Sequence, residues 1–316
     1  MDSNVGITHF DDAATHDYQL AHLRGRWTLL GEAAGCVTVG VRRIQVAAGG
    51  WSTPAHEHGR SEEIFYVLSG SGVSWHKGAT AEIGPGDAIL YRPRTGPHTV
   101  HADEPLDVLA FGTRDYDESP RFPQLGMSLV GGRAVQSSVG SRDRAPIQFV
   151  LEAEHGPPEL PATPGPRPAT LVNLDELEPA RLQRPRVERT RRNFGRALGS
   201  QRSGLQHVEV APGKESTAQH CHSIEEEIFV ILDGEGVLVL DREETAVRPG
   251  HVVARPAGTG VAHVFRAGER GLTYLVYGTR DPGDVCYYPR SNKIAFRGVG
   301  VMARLERIED YWDGED

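Results

Sequence analysis

Two stretches of this chain align with each other without a gap at a constant offset of 164 residues. Residues 46–72 read VAAGGWSTPAHEHGRSEEIFYVLSGSG, residues 210–236 read VAPGKESTAQHCHSIEEEIFVILDGEG, and 14 of the 27 aligned positions are identical. The match continues from residues 86–98 to 250–263 and in the motif GTRD at 112–115 and 278–281. A repeat of this length indicates a tandem duplication, with copies at about residues 24–136 and 189–302.

A proline-rich segment separates the two copies. Residues 155–168 contain six prolines. Because proline fixes φ and removes a backbone donor, we expect a linker or a strap along the surface here rather than a strand. We therefore predict an N-terminal domain over residues 1–145, a linker and strap over 146–188, and a C-terminal domain over 189–316.

Each copy has the sequence pattern of short β-strands. Runs rich in β-branched and aromatic residues, such as 63–68 and 227–232, end in glycine-containing turns and recur every 8–12 residues. The 37 glycines and 21 prolines supply the turns that many short strands need. We predict an all-β fold with a sandwich or barrel in each half, and with helix confined to the ends and to the region between the copies.

Composition narrows the classes of partner. With 34 Lys+Arg against 43 Asp+Glu the net charge is −9, which disfavours nucleic acid as a partner. No apolar run approaches the roughly 20 residues that span a bilayer, and the acidic first residues do not resemble a signal peptide. Three widely spaced cysteines make no disulfide framework. We expect a cytoplasmic protein with a small-molecule substrate, no nucleic-acid or membrane partner, and a homodimer as the candidate assembly.

Histidine and glutamate recur at matching places in the two copies. Each copy contains a His-x-His pair, a glutamate five residues later and a further histidine after a Pro/Gly turn: His56, His58, Glu63 and His98, then His220, His222, Glu227 and His263. Residues i and i+2 of a strand face the same side, so each pair presents two imidazoles together. Three imidazoles and one carboxylate suit Mn, Fe, Co, Ni, Cu or Zn. About half of the aligned core positions differ, yet all eight of these residues are retained.

The motifs resemble those of the cupin superfamily, and two copies resemble a bicupin. The first motif reads Gly50-WSTPA-His56-E-His58-GRSE-Glu63-IFYVLS-Gly70, and the second reads Gly86, then Pro93-RTGP-His98. The resemblance implies two tandem jelly-roll barrels (double-stranded β-helices), each with a metal seat at its centre. His101 is the rival to His98 as fourth ligand; we choose His98 because its spacing from Pro93 fits the motif and because it aligns with His263.

The same resemblance implies a metal-dependent enzyme that acts on a small organic molecule. The favoured reaction is that of a dioxygenase-like oxidoreductase, with Fe the first choice of metal and up to two ions per chain. One alternative is an oxalate-decarboxylase-like lyase with manganese. Another is a non-catalytic, metal-organised binding or sensor protein, and sugar isomerase or epimerase chemistry is an outlier. No catalytic residue beyond the ligands is assigned.

Several side chains near these motifs have open roles. We expect Glu62 and Glu226, which precede the glutamate ligands, to point away from the metal as surface or inter-sheet polar residues. One of four arginines near the first set could clamp a substrate carboxylate: Arg42, Arg43, Arg92 or Arg94. The arginine-rich residues 184–196 are expected to form a solvated linker face or inter-domain salt bridges.

Overall fold

A computed structural model describes residues 6–131, 133–136, 139–142 and 147–313. The strands of the first half are β1 Gly6–His9, β2 Thr15–Leu20, β3 Leu23–Thr28, β4 Val39–Val46, β5 Glu63–Ser69, β6 Gly72–His76, β7 Ala79–Ile83, β8 Asp87–Tyr91, β9 His98–Ala102, β10 Leu106–Thr113, β11 Arg121–Phe122, β12 Met127–Val130, β13 Arg133–Gln136 and β14 Val139–Arg142. Those that follow are β15 Leu171–Asn173, β16 Ala180–Gln183, β17 Glu188–Asn193, β18 Ser203–Val210, β19 Cys221–His222, β20 Glu227–Leu240, β21 Glu243–Val247, β22 His251–Arg255, β23 His263–Thr279, β24 Val285–Tyr288, β25 Lys293–Phe296 and β26 Val301–Arg304.

Helix is a minor component. The described residues form three short α-helices, α1 Leu30–Ala33, α2 Ile147–His155 and α3 Phe194–Ala197, together with single 3₁₀ turns at Pro123–Leu125, Leu174–Glu176, Pro289–Ser291 and Arg297–Val299. None of the helices in the described ranges has the length and apolar character needed to cross a membrane. The all-β class is therefore confirmed.

The strands form two antiparallel barrels. In the first, a sheet in the order β15-β8-β5-β10-β4-β3-β2 packs against the smaller sheet β7-β6-β9. In the second, the order is β1-β22-β20-β23-β18-β17-β16, with β21 on β20. The long strands β20 and β23 take the places that β5 with β6, and β9 with β10, occupy in the first barrel. Tandem jelly-roll barrels are thus confirmed.

Each copy begins with a strand that completes the sheet of the other copy. Strand β1 pairs with β22 of the second barrel, with His9 opposite His251. Strand β15 pairs with β8 of the first barrel, with Asn173 opposite Asp87. Both partners are shifted by the repeat offset, so the exchange is reciprocal. The sheets cross the domain limits at 145 and 188 because a strand of three or four residues carries no sequence sign of which sheet it joins.

The two barrels share an apolar interface. Strand alternation sends Phe65 of β5 into the first barrel, while Ile64 faces a buried cluster that both halves build. In that cluster the rings of Phe111 and Tyr277 stack with centroids 5.4 Å apart. The faces of β5 and β20 that do not line a barrel therefore hold the barrels together.

Two buried glutamates tie the halves across this interface. Glu62 is only 2% exposed and accepts hydrogen bonds from the Ser200 hydroxyl (2.6 Å) and the Gln201 backbone N–H (2.9 Å) of the other half. Glu226 accepts from the backbone N–H groups of Val37 (2.8 Å) and Thr38 in the first half. The prediction that these side chains point away from the metal holds, and each binds a turn of the opposite copy.

Replacing Glu62 with glutamine should lower the free energy of unfolding. Burial alone would raise the pKa of Glu62, but hydrogen bonds led by that of Ser200 lower it below the usual 4.5. The carboxylate therefore adds stability above about pH 4.5 that is lost as the pH falls through the lowered pKa. We expect a loss of roughly 1.5–3 kcal/mol at pH 7, measured by urea unfolding, and a gap to wild type that narrows on acidification. The exposed control Glu82→Gln should stay within about 0.5 kcal/mol; equal losses in both variants would contradict this role.

Candidate metal centres

The four predicted residues of the first copy converge inside the first barrel. Their ligand atoms lie within 4.8 Å of one another. Glu63 Oε2 is 2.9 Å from His98 Nε2 and 3.4 Å from His58 Nε2. A bridge between the backbones of His56 and His98 brings the pair and the late histidine side by side.

The second copy repeats this arrangement. Glu227 Oε2 lies 3.1 Å from His263 Nε2, 3.5 Å from His222 Nε2 and 4.0 Å from His220 Nε2. A backbone bridge between His220 and His263 again closes the set. All eight residues predicted from the sequence are therefore brought together as two clusters of three imidazoles and one carboxylate.

The first histidine of each pair is held neutral with one nitrogen free. His56 Nδ1 lies 2.9 Å from the carbonyl of Pro54, and His220 Nδ1 lies 2.9 Å from that of Ala218. Donation to these carbonyls places the proton on Nδ1 and leaves Nε2 as the ligand atom. Burial, reinforced by the neighbouring imidazoles, lowers the pKa of His56 to about 3 and that of His220 to about 4.

The second histidine of each pair is backed by a carboxylate that sequence reasoning missed. His222 Nδ1 is 2.7 Å from Asp284 Oδ2, and His58 Nδ1 is 3.8 Å from Glu118 Oε1. Both acids also accept backbone hydrogen bonds from the turn after the pair, for example Gly59 N–H to Glu118 at 2.7 Å. The signal was present, because each acid lies six residues after the glycine of a GTRD motif.

The chemistry of these atoms fits a metal ion. His58 Nε2, His222 Nε2 and Glu227 Oε2 are buried without a hydrogen-bond partner, which is costly unless something binds there. Burial alone would lower the pKa of His58, but the carboxylates Glu118 and Glu63 raise it to about 10. Burial alone would likewise raise the pKa of Glu63, yet its contacts with the imidazoles hold it well below the usual range. Each cluster thus suits a divalent first-row transition metal that displaces a proton on binding.

The rival histidine lies elsewhere. His98 is 2% exposed, and its ring stacks on Tyr91 at 3.9 Å between centroids. His101 instead contacts the Trp51 ring and lies 3.2 Å from Asp103. The odd separation of the two histidines along β9 turns them to opposite faces.

Of the four candidate arginines, Arg42 alone lines the first cavity. Arg43 pairs with Asp107 at 2.6 Å, while Arg92 and Arg94 donate to backbone carbonyls. Strand β4 explains the difference, because Arg42 faces into the barrel and its neighbour faces out.

The two clusters open onto cavities of different size and character. The first cavity has a volume of about 460 Å³ and is walled mainly by apolar side chains: Trp27, Leu29, Ile44, Phe65, Phe122 and Phe149. The second has a volume of only about 120 Å³, and its wall includes Arg189 and Arg191. Helix α2 supplies Phe149 to the first cavity.

Removing His98 should empty the first cluster, because three remaining ligands bind a divalent ion much less tightly. We expect wild type to approach two first-row metal ions per chain and His98→Ala to approach one, measured by elemental analysis of protein loaded with Mn, Fe, Ni or Zn. His101→Ala is the matched control and should keep two. An empty first site in His101→Ala with full loading in His98→Ala would reverse the assignment.

Comparison with known proteins supports the same architecture. The family model for the cupin domain matches residues 42–112 and again residues 206–276. No curated protein matches the chain.

Solved structures give three examples of similarity. Oxalate decarboxylase from Bacillus subtilis at pH 4.6 is 16% identical with a TM-score of 0.57, over 88% of this chain and 76% of its own. The formate complex of oxalate decarboxylase from Lactobacillus farciminis is 15% identical with a TM-score of 0.57, over 89% of this chain and 87% of its own. A putative sugar phosphate isomerase from Acidithiobacillus ferrooxidans ATCC 23270 is 28% identical with a TM-score of 0.40, over 43% of this chain and 92% of its own. With one cupin domain matched in each barrel, the chain is a tandem bicupin of the cupin superfamily.

Proposed function

We propose that this bicupin is a metal-dependent enzyme of the dioxygenase type, which oxidises a small organic molecule in its first barrel. The observation that carries the proposal is the cavity of about 460 Å³ whose apolar wall leads to His56, His58 and Glu63. A cavity of this volume is in the range of small-molecule sites, and an apolar wall with a few polar groups favours a substrate with a ring or a branched apolar body.

The proposed metal is Fe(II), with manganese as the alternative. Bacillus subtilis oxalate decarboxylase has Mn(II) centres, and the same three-imidazole, one-carboxylate set suits either ion. When bound, the ion supplies open positions for a substrate oxygen and for O₂, together with Lewis-acid and electron-transfer chemistry.

The remaining side chains of the cavity bind and orient the substrate. Arg42 is exposed and, among the described residues, has no ion-pair partner, so it can hold an anionic group of the substrate at the rim. Phe149 of α2 packs on Trp27, with ring centroids 5.3 Å apart, over the cavity. This packing excludes water from the apolar end of the substrate, which strengthens the polar contacts at the other end.

A decarboxylase-like reaction would need a mobile acid near the metal. Besides Glu63, the carboxylate that lines this cavity is Glu32 of α1, which is exposed and lies 3.8 Å from Arg114. An acid in that position is paired and solvated, so oxidation remains the better-supported reaction for the first barrel.

Oxygen uptake tests this proposal. The Fe(II)-loaded chain should consume O₂ with some members of a panel of aromatic and branched carboxylates. Glu63→Gln should abolish uptake, and His101→Ala should retain it. Arg42→Gln should raise KM for carboxylate substrates roughly ten- to a hundredfold with a smaller effect on kcat, because one charge-assisted contact is lost.

Other outcomes would assign a different function. Release of CO₂ without O₂ consumption would favour the lyase. Tight binding of a panel member without turnover by the metal-loaded chain would favour a binding or sensor protein.

A further inference from the structure

The arginine-rich residues 184–196 form part of the second barrel. Within them, β17 pairs with β16 on one side and β18 on the other. Strand alternation turns Arg189 and Arg191 to the inner face, where both line the 120 Å³ cavity beside Glu227. The expectation of a solvated linker face is wrong for these two residues, because a sheet neighbour on each side fixes which way they point.

The duplication shows that one of these arginines occupies a position with a different residue in the first barrel. In the first barrel Trp27 of β3 pairs with Ile44, and in the second Arg191 pairs with Val208. Both residues of each pair are separated by the repeat offset of 164, so Trp27 and Arg191 hold the same place. The first barrel has an aromatic ring where the second has a guanidinium group.

Further differences make the second cavity small and basic. By the same register, Arg189 corresponds to Gly25. The larger Phe265 and Tyr274 occupy the places of valines in the first barrel, at positions 100 and 108. Since a water molecule's share of liquid volume is about 30 Å³, the cavity has room for roughly four water volumes.

The two guanidinium groups have no acidic partner in the described part of the chain. Arg189 donates to the backbone carbonyl of Ser216, and no ion pair involves Arg189 or Arg191. Burial, reinforced by Arg191, lowers the pKa of Arg189 to about 10, so the group stays protonated at neutral pH. Two like charges partly removed from water are unfavourable unless an anion lies between them.

We propose that the second barrel binds a small dianion, held by Arg189 and Arg191 beside the second histidine cluster. The ligand class is a short dicarboxylate or an inorganic oxyanion, because both offer oxygens to two guanidinium groups within the available volume. The first barrel, with Trp27 at the matching position, is built for a larger and less polar molecule. The two barrels thus recognise different ligands with the same metal-binding residues.

The surface outside the cavity favours entry of an anion. Arg189 and Arg191 also line an outer groove of about 630 Å³ together with Arg181 and Arg196. Clustered positive charge raises the local concentration of anions, although the chain as a whole has a net charge of −9.

Calorimetric titration of the Mn(II)-loaded full chain with malonate, and separately with inorganic phosphate, tests the proposal. We expect one site per chain for at least one of them. Arg191→Gln and Arg189→Gln should each weaken binding roughly ten- to a hundredfold, as expected for loss of a charge-assisted contact. Arg191→Trp, which installs the residue of the first barrel, should lose the site, and circular dichroism checks that each variant is folded.

Two controls separate this site from its surroundings. Arg196→Gln removes a charge from the outer groove alone, and Arg42→Gln removes the arginine of the first cavity; both should leave the affinity within about twofold. Binding of malonate alone identifies a dicarboxylate site, and binding of phosphate alone identifies an inorganic oxyanion site. Absence of binding by both anions, equal loss in Arg196→Gln, or loss confined to Arg42→Gln would overturn the proposal. Because the readout is binding in the second barrel, it does not depend on whether the first barrel oxidises a substrate.

Discussion

A pair of adjacent glutamates at the start of one strand organises each half of this protein. Strand alternation sends Glu63 into the first barrel and Glu62 out towards the other copy, and Glu227 and Glu226 do the same in the second. A shift of one residue in this strand would exchange the two carboxylates. The hydrogen bonds of Glu62 and Glu226 across the interface therefore fix the register that places the metal ligands. Folding of each site depends on the presence of the opposite barrel.

The reciprocal exchange of β1 and β15 strengthens that dependence. Each barrel is completed by a strand that comes from the other copy, so the apolar interface and the outer sheets are formed together. Within this shared frame the interior walls are free to diverge. The clusters keep the same donor atoms, whereas the walls change from Trp27 to Arg191 and the cavity volume falls from about 460 to about 120 Å³.

The sequence predicted the parts of the fold that have strong periodic signals. The duplication, the buried strands such as β5 and β8, and the convergence of both His/Glu sets follow from motif spacing and alternation. Strands β1 and β15 could not be assigned, because they are short and their partners lie more than eighty residues away. Glu118 and Asp284 were detectable as equivalent acids of the repeat. The inward direction of Arg189 required the pairing register of β17, which composition does not contain.

The central claim is that both barrels hold a metal ion with equivalent ligands at sites of unequal character. Anomalous diffraction at the absorption edge of the loaded metal tests it most directly. We predict one peak in each barrel, with the three imidazole Nε2 atoms and the glutamate oxygen at about 2.0–2.3 Å. A peak in the second half between His222 Nδ1, Asp284 and Cys286, which also lie close together, or no peak within either histidine cluster, would contradict the account.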